Sequence, residues 1–232
     1  MARPTKSFSL AWHSLRTVAN APARARTPRP AALPTLAGHG LVLRGWDEEL
    51  VEKAARWREY GFPYQAFDLG GLRERHRARA FLAMRRETST HRHFVACEDG
   101  EPVGRISVNL HDSAGLYLWS VHVPPEHEGR GICRRMMATL IEWLEEAYPA
   151  RNFTLTTNTF AEHAHRAYRS LGFTIAESRW HHDREIAQAL WTVPPEQRET
   201  IAQHIRFYNG RWEVRAYLMQ RVHGAPMQGL DG

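Results

Sequence analysis

The chain has 232 residues, of which 43% are hydrophobic and 24% are charged, and its formal net charge is +6. Six of the 31 basic residues and none of the 25 acidic ones fall within residues 1–40, so the remaining 25 basic and 25 acidic residues leave residues 41–232 formally neutral. A neutral body gives no reason to expect a nucleic-acid partner. No apolar run approaches the ~20 residues of a membrane span, and two cysteines are too few for a disulfide framework, so we expect no membrane partner and a cytoplasmic setting.

Composition also divides the chain into parts. Residues 1–38 are basic and rich in Pro and Ala, which predicts a disordered N-terminal extension. Their acid-free composition also imitates a mitochondrial presequence, and of the two interpretations we favour the flexible extension. Residues 39–223 are long enough to bury the core of one domain, and residues 224–232 should form a flexible tail.

The first half of the folded part alternates helix and strand patterns. Asp47 is placed to cap a helix that ends at Gly61, and a second helix is predicted at about 72–88. The apolar face of the first helix carries Leu50, Ala54 and Trp57. Three strands are predicted, at 41–43, 94–97 and 106–110. The dipeptide Asp99-Gly100 before the last of them is typical of a tight hairpin.

A glycine turn follows the next strand, which is predicted at 116–123. Gly129 and Gly131 allow positive φ and let a ligand approach the main chain. The amphipathic helix after them, at about 131–147, has four N–H groups without intrahelical partners in its first turn, and with the helix dipole these form an anion site. Positive charge is added at the same end by Arg130, Arg134 and Arg135. A plain tight turn would show the same glycines, so both interpretations stay open.

A second strand and helix come next, at 153–157 and about 160–171, and Gly172 should end the helix as its left-handed cap. Helical spacing places three residues on one face: Ala161, Ala164 and Tyr168. The phenol of Tyr168 would then lie close to the anion site, although a plain core tyrosine would have the same spacing.

The last part of the chain predicts two more strands with an insertion between them. The sixth strand falls at 174–180 and the seventh at 212–218, where apolar residues alternate. The insertion, 181–209, has Pro194-Pro195 at a helix start and an Asn209-Gly210 turn at its end. Such an insertion either shapes substrate choice or fills the surface.

Two motifs carry a family resemblance. The first motif of the family is Gln/Arg-x-x-Gly-x-Gly/Ala after a strand that ends in Val-x-Pro. Residues 123–133 have the same frame, and Gly131 matches the first glycine of the motif. The pattern Asn-x-x-Ala-x-x-x-Tyr-x-x-x-Gly-Phe falls on 161–173, with matches at Ala164, Tyr168, Gly172 and Phe173. Together and in this order they resemble the GNAT superfamily of acetyl-CoA-dependent N-acyltransferases. Three positions depart from the family pattern: Glu128, Cys133 and Ala161.

The resemblance implies a fold and a cofactor site. The fold would be α/β (α+β), with a mixed, mostly antiparallel seven-stranded central sheet, flanking helices and a helical insertion between the last two strands. Acetyl-CoA, or another acyl-CoA, would be the co-substrate, its pantetheine entering a splay between strand 116–123 and the fifth strand. The residues expected to bind it are Val121, Val123, Glu128, Gly129, Arg130, Gly131, Ile132, Cys133, Arg134, Ala164 and Tyr168.

The implied activity is N-acetyl transfer to a primary amine through a tetrahedral intermediate, with a backbone N–H near Val121 to Val123 polarising the carbonyl. Tyr168, protonated at pH 7, would give its proton to the CoA thiolate. The family often supplies a Glu base on the fourth or fifth strand, and neither strand here contains one. The candidates to replace it are His122, Glu126, Glu162 and His163. We place His122 first.

Two of the altered motif positions carry their own expectations. Glu128 should point to solvent, where its charge would disturb a bound phosphate least. Cys133, near a helix N-terminus, is either a thiol of lowered pKa or a small packing residue. We favour packing.

The amine acceptor, a small molecule or a peptide or protein N-terminus, should lie between the first two helices and the insertion. The candidate substrate residues are Phe62, Tyr64, Phe67, Asp68, His182 and Asp183. Asp68 or Asp183 could hold an ammonium group, while the aromatic residues could equally fill their own loop. The neighbouring histidines at 163 and 165 and at 181 and 182 point in diverging directions, so we expect surface histidines and no metal.

Two other functions stay open at this point. A non-catalytic acyl-CoA-binding module would bind CoA without turnover. An aminoacyl-tRNA acetylating toxin, which resembles the same family, would show salt-sensitive tRNA binding, and the neutral body speaks against it. A homodimer also stays open.

Overall fold

The computed structural model describes residues 33–64, 74–85, 90–112 and 115–228. Within these ranges the strands are β1 (Leu36–Gly38), β2 (Leu41–Gly45), β3 (His91–Glu98), β4 (Glu101–Asp112), β5 (Gly115–His122), β6 (Phe153–Asn158), β7 (Thr174–His181), β8 (Ile205–Tyr208) and β9 (Arg211–Arg221). The helices are α1 (Glu48–Ala54), α2 (Arg75–Met84), α3 (Ile132–Ala147), α4 (Glu162–Ser170), α5 (Arg184–Thr192) and α6 (Pro195–Glu199). Short 3-10 turns lie at Pro125–His127 and Ala202–His204.

One sheet forms the centre of the fold. Its strands follow the order β1-β2-β3-β4-β5-β6-β9-β7, and β8 pairs with β9 beside this path. β5 and β6 are parallel, and the other described pairs are antiparallel. The mixed, mostly antiparallel sheet flanked by helices is thus confirmed, with nine strands in place of the predicted seven.

The two additional strands, β1 and β8, are short and each lies next to a tight turn. Asn209 and Gly210, with φ of 50° and 76°, join β8 to β9 and confirm the predicted turn. The Asp99-Gly100 turn between β3 and β4 has the same conformation, with φ of 50° and 82°. Strands of three and four residues carry too little alternation to be recognised in the sequence, so their pairing partners reveal them.

The predicted extension at 1–38 lies mostly outside the described residues. Its last residues, however, belong to the sheet, because Leu36 of β1 pairs with Leu43 and both Leu33 and Leu36 pack on the main core. The folded part therefore begins before residue 39. Of the tail predicted at 224–232, residues 224–228 are held to the fold, because Met227 packs on the main core and the Gln228 N–H donates to Ser170 O (2.7 Å). Residues 229–232 lie outside the described ranges. No helix in the described part of the chain is long and apolar enough to cross a membrane.

The helices cover the sheet on two faces. Phe94 and Ala96 of β3 belong to the main core, together with α3 and α4. The alternate residues Val95 and Cys97 pack with Leu50 of α1 on the opposite face. The apolar side of α3 is buried, with six residues 1% exposed or less: Ile132, Met136, Met137, Leu140, Ile141 and Leu144.

The end of α1 differs from the prediction. The helix stops at Ala54, well before Gly61, although Asp47 caps its start as predicted, accepting the Leu50 N–H at 2.8 Å. Trp57 is 6% exposed and its indole N–H donates to Pro102 O (3.0 Å). This bond to the start of β4 anchors the chain after α1, and local sequence gives no sign of it.

Candidate active site

The first turn of α3 presents backbone donors to an open surface. Gly131 caps the helix with φ of 70°, and Gly129 adopts φ of 75°. Among the described residues no heavy atom lies within 4 Å of a Cβ built at either glycine. The Arg135 N–H donates to Gly131 O (3.0 Å) and is the first to bond within the helix, so the N–H groups of residues 132–134 have no acceptor inside the helix. With the helix dipole they form an anion site.

A groove of about 520 Å³ lies between this turn and α4. Its lining residues are Gly129, Arg130, Gly131, Arg134, Arg166, Ala167 and Ser170. The sequence predicted the first four, and it missed the three from α4. Their spacing of three and four residues places them on one helix face beside the Tyr168 motif, which was the signal that could have found them.

The positive charge at this groove is smaller than its arginines suggest. Arg130 and Arg135 both bond the carboxylate of Glu98, Arg135 at 3.0 Å. These bonds, with Arg135 first, hold the pKa of Glu98 below its usual value. Arg134 forms no ion pair with a described residue, and its buried Nε has no hydrogen-bond partner among them. Because a buried donor is costly when unsatisfied, Arg134 fits an oxygen-rich anion best.

Both glutamates of the turn before α3 are held by the segment after α1. Glu128 is exposed, as expected, and its carboxylate lies 2.8 Å from the Tyr60 hydroxyl, which also contacts Val123 O. Glu126, one of the base candidates, accepts the Arg58 N–H at 3.0 Å. These contacts fix the turn and hold the Glu128 charge on the Tyr60 side.

β5 and β6 separate partway along their length. Their parallel pairs are Leu116–Phe153, Tyr117–Thr154 and Leu118–Leu155. Beyond these pairs β6 stays on β9 as far as Asn158, and β5 stays on β4 as far as His122. Among the described residues, the edge of 119–122 that faces β6 has no strand partner. The opening that the family resemblance implied is therefore present, and Val121 lies on it.

A β-bulge coincides with this opening. Ser107 of β4 pairs with Trp119, and Arg105 pairs with His122. Between these two pairs β5 therefore contains one residue more than β4. Ser120 takes up the extra residue with φ of 54°. The bulge lets Trp119 and His122 face the same side of the sheet despite their odd spacing, and bulges of this kind are common beside active sites.

Tyr168 lies inside the protein next to the groove. It is 6% exposed and packs in the main core. Burial raises its pKa, and the neighbouring Cys133 thiol and Tyr117 phenol raise it further, so the hydroxyl keeps its proton at neutral pH. Gly172, with φ of 84°, ends α4 as predicted, and the Phe173 N–H donates to Tyr168 O (3.1 Å) in a Schellman cap.

Cys133 is a packing residue. Ala164 and Cys133 are both partly buried against the core that contains Tyr168. Burial raises the pKa of the Cys133 thiol to about 12. A thiolate is therefore disfavoured at neutral pH, in agreement with the packing interpretation and against a reactive thiol.

His122 lies on the opposite side of the opening from α3. It is 7% exposed, with its ring stacked on Trp57 (5.6 Å between centroids) and edge-on to Tyr60 (5.6 Å). Burial, followed by the charge of Arg105, lowers the pKa of His122 to about 3. The imidazole is therefore neutral at pH 7 and able to accept a hydrogen bond, but it is a weak base. Glu162 and His163 are exposed at the start of α4.

The predicted substrate residues that the structure describes are engaged in contacts within the protein. Phe62 and Tyr64 pack against the insertion, and the Tyr64 hydroxyl donates to Phe160 O (3.2 Å). Asp183 caps α5 by accepting the Glu185 and Ile186 N–H groups (3.1 and 3.0 Å).

His182 Nδ1 lies 2.9 Å from Trp212 O. Asp183 uses its Oδ1 atom for the helix cap. Phe62 and Tyr64 fill a small core, which is the alternative to substrate binding that the sequence left open. Phe67 and Asp68 lie outside the described residues.

The sheet face toward α1 and α2 is polar near the opening, which sequence reasoning missed. Strand register brings together three residues from each of β4 and β5 and two from β3. We call this set the polar sheet face: His91, His93, Arg105, Ser107, Asn109, Tyr117, Trp119 and His122. The signal was present as polar residues at alternate strand positions, but only the register between three strands unites them.

The fold and site together are those of an acyltransferase: an open mixed sheet, a parted parallel strand pair, and a helix N-terminus beside a protonated phenol. The family model "Acetyltransferase (GNAT) family" matches residues 48–173. This is more than half of the chain, and the chain therefore belongs to that family and is an acyltransferase.

Solved structures show the same fold. A GNAT-family acetyltransferase from Bacillus anthracis aligns with a TM-score of 0.57 at 10% identity, over 82% of this chain and 99% of the other. A spermidine N-acetyltransferase chimera from Vibrio cholerae aligns at 0.53 and 13%, over 79% and 96%. The microcin C7 self-immunity acetyltransferase MccE, in complex with acetyl-CoA and AMP, aligns at 0.54 and 11%, over 79% and 92%. No curated protein sequence matches the chain significantly.

Proposed function

We propose that the protein transfers an acetyl group from acetyl-CoA to a primary amine by direct attack. The observation that carries this proposal is the opening between β5 and β6 together with the donor-rich start of α3, where Cys133 neighbours the buried phenol of Tyr168. Structural relatives include a spermidine N-acetyltransferase and an enzyme solved with acetyl-CoA. The first supports an amine acceptor, and the second supports acetyl-CoA as the donor.

The residues of the groove fit a CoA pyrophosphate. Unoccupied space at Gly129 and Gly131 lets an anion reach the backbone N–H groups of 132–134. Arg134 has a buried Nε to satisfy, and Arg166 faces the same groove. The pantetheine would enter the opening between β5 and β6. The predicted binding residues from Val121 to Ala164 are proposed to contact the cofactor along this path.

The chemistry then needs few groups. The amine nitrogen forms a bond to the thioester carbonyl carbon, and the resulting oxyanion is stabilised by a backbone N–H near Val121 or Val123. One such donor is typically worth about 10²- to 10³-fold in rate. The C–S bond breaks as the intermediate collapses, and Tyr168 gives its proton to the thiolate. The proton that the nitrogen loses passes through solvent and restores the Tyr168 phenol.

Deprotonating the amine before attack is the demanding step. An alkylamine of pKa about 10 costs roughly 4 kcal/mol to deprotonate at pH 7, whereas an α-amine of pKa about 8 costs roughly 1.4 kcal/mol. With a pKa of about 3, His122 can orient the amine or a water but removes a proton poorly. This favours acceptors whose amine is weakly basic, such as α-amines. The cytoplasmic setting and the homodimer stay predictions.

The test is a screen of acetyl-CoA against amines, peptides and charged tRNAs, with CoA release and acetylated product measured together. We expect one acetylated amine for each CoA released. Acetyl-CoA binding without any acetylated product across the screen would contradict the proposal. Acetylation confined to charged tRNA, with strong salt dependence, would instead support the tRNA-directed alternative.

A further inference from the structure

Arg85 is a partly buried cation without a described counter-charge. Its guanidinium lies over the rings of Phe81 (4.9 Å) and Trp119 (5.4 Å), and it donates to His93 Nδ1 (3.2 Å). Its Nε is buried and has no hydrogen-bond partner among the described residues. Burial lowers the pKa of Arg85 with no described carboxylate to oppose it, and an arginine still stays charged at pH 7. Because buried charges are normally paired, this position is suited to an anion.

A second unsatisfied donor lies beside the first. The indole Nε1 of Trp119 is buried and has no partner in the described part of the chain. The ring of His93 meets Trp119 edge-on at 5.5 Å, and His93 Nδ1 lies 2.9 Å from Ser107 Oγ. Burial, then Arg85, lowers the pKa of His93 to about 3, so this histidine brings no charge of its own. Two unsatisfied donors therefore lie on neighbouring side chains, since the Arg85 guanidinium lies over the Trp119 ring.

Charges of both signs surround the polar sheet face, but no described carboxylate acts on Arg85. Arg105 lies on this face, and Arg179 is close enough to affect Tyr117. Among the described carboxylates, Asp112 acts on Tyr117, Glu185 interacts with Arg105, and Glu128 bonds Tyr60 beside His122. A polycationic acceptor would be repelled here, whereas an anionic group would be attracted.

This region adjoins the opening where acetyl transfer is proposed. Trp119 directly follows Leu118, the last β5 residue paired with β6, and precedes the bulge at Ser120. Val121 is two residues further along the strand, on the order of 7 Å from Trp119. An anion bound at Arg85 and Trp119 would thus place a nearby amine within reach of the thioester.

We propose that the acetyl acceptor is a short amine that also carries an anionic group, a carboxylate or a phosphate, and that Arg85 and Trp119 bind this group. The proposal rests on the acetyl transfer proposed above and names its substrate class. It excludes polyamines as preferred acceptors.

The test compares acceptors that differ in the anionic group. Glycylglycine and its C-terminal amide share an α-amine next to a peptide group, so the amines are similar and the carboxylate differs. Phosphoethanolamine and ethanolamine test the phosphate in the same way, and spermidine tests the polycation. We expect kcat/KM to be at least about tenfold higher for the anionic member of one pair, which identifies carboxylate or phosphate, and lowest for spermidine.

Variants then assign the preference to the pocket. Arg85→Gln should remove most of the preference by lowering kcat/KM for the anionic acceptor at least about tenfold, with the neutral acceptor changed less than about twofold. Trp119→Phe, which keeps a six-membered aromatic ring and removes the indole N–H, should also lower kcat/KM for the anionic acceptor. Arg79→Gln, an exposed arginine on the same helix, is the matched control and should change neither. Thermal unfolding of each variant verifies the fold.

The outcomes separate this inference from the function beneath it. If neither these acceptors nor any amine of the wider screen is acetylated while acetyl-CoA binds, the proposed transferase activity fails. If another amine of the screen is acetylated and none of these acceptors is, the transferase activity stands and the anion pocket is refuted. If amines are acetylated but anionic and neutral members react equally, or spermidine reacts best, the transferase activity stands and the anion pocket is refuted. An equal loss for both members in Arg85→Gln would also refute it, since that pattern reports a structural role.

Discussion

Replacing Tyr168 with Phe tests the proposed acid with little disturbance of the fold. The ring is 6% exposed within the main core, and Phe fills the same space without leaving a cavity. Because only a hydroxyl is lost, the free energy of unfolding should change by no more than about 1 kcal/mol. Turnover should fall about 10²- to 10⁴-fold, the usual contribution of a positioned proton donor, which corresponds to roughly 2.7 to 5.4 kcal/mol in the barrier.

The assay is CoA release at saturating acetyl-CoA and amine, with thermal unfolding measured on the same samples. Tyr148→Phe is the matched control, since Tyr148 is a partly buried tyrosine at the other end of α3, and it should keep wild-type turnover. Burial raises the pKa of Tyr168, so the acid should keep its proton and wild-type activity should not fall between pH 8 and pH 10 through this group. Wild-type turnover in Tyr168→Phe would refute the acid role.

Three further predictions follow from the structure. Gly131→Val should lower acetyl-CoA affinity at least about tenfold by calorimetry, roughly 1.4 kcal/mol. Gly100→Val is the control, because Gly100 has a similar positive φ and similar open space, so this variant should show the backbone strain without the loss of affinity. Equal affinity loss in both variants would contradict the anion site. Deleting residues 1–32 should leave the melting temperature unchanged while deleting 1–38 lowers it, because β1 is lost; equal melting of the two truncations would show that β1 contributes nothing. Burial would raise the pKa of Glu145, but bonds from Arg221 and the Gly224 N–H lower it overall, so its stabilisation should be present above the unfolded pKa of about 4.3 and lost as pH falls below it; Glu145→Gln should flatten this acid limb in thermal melts, and an unchanged limb would refute the assignment.

The features that sequence could predict are those fixed by neighbouring residues. Gly131 and Gly172 mark a helix start and a helix end because positive φ is a local requirement. Tyr168 follows from helical spacing within one short segment. The Asp99-Gly100 and Asn209-Gly210 turns depend on two residues each. All of these predictions survive because no distant contact is needed to produce them.

The features that sequence could not predict depend on contacts between distant segments. Glu98 lies more than thirty residues before Arg130 and Arg135, and it alone removes much of the charge expected at the groove. Trp57, which follows the end of α1, bonds Pro102 O of β4, forty-five residues away. The sequence around Asp183 is compatible with a substrate ligand and with a helix cap. Only the position of α5 shows that Asp183 is the cap.

One strand, β5, connects both halves of the proposed reaction. Up to Leu118 it is an ordinary core strand, paired on both sides. From Trp119 onward it keeps only β4, and the bulge at Ser120 places Trp119 and His122 together on the polar sheet face. Val121, between them, is partly buried against the main core on the α3 side. The parted strand therefore separates a donor side, with the groove and Tyr168, from an acceptor side, with Arg85 above Trp119. A transferase needs its two substrates to meet across such a boundary, so the acceptor preference and the acid role can be changed independently by mutation on opposite faces of the sheet.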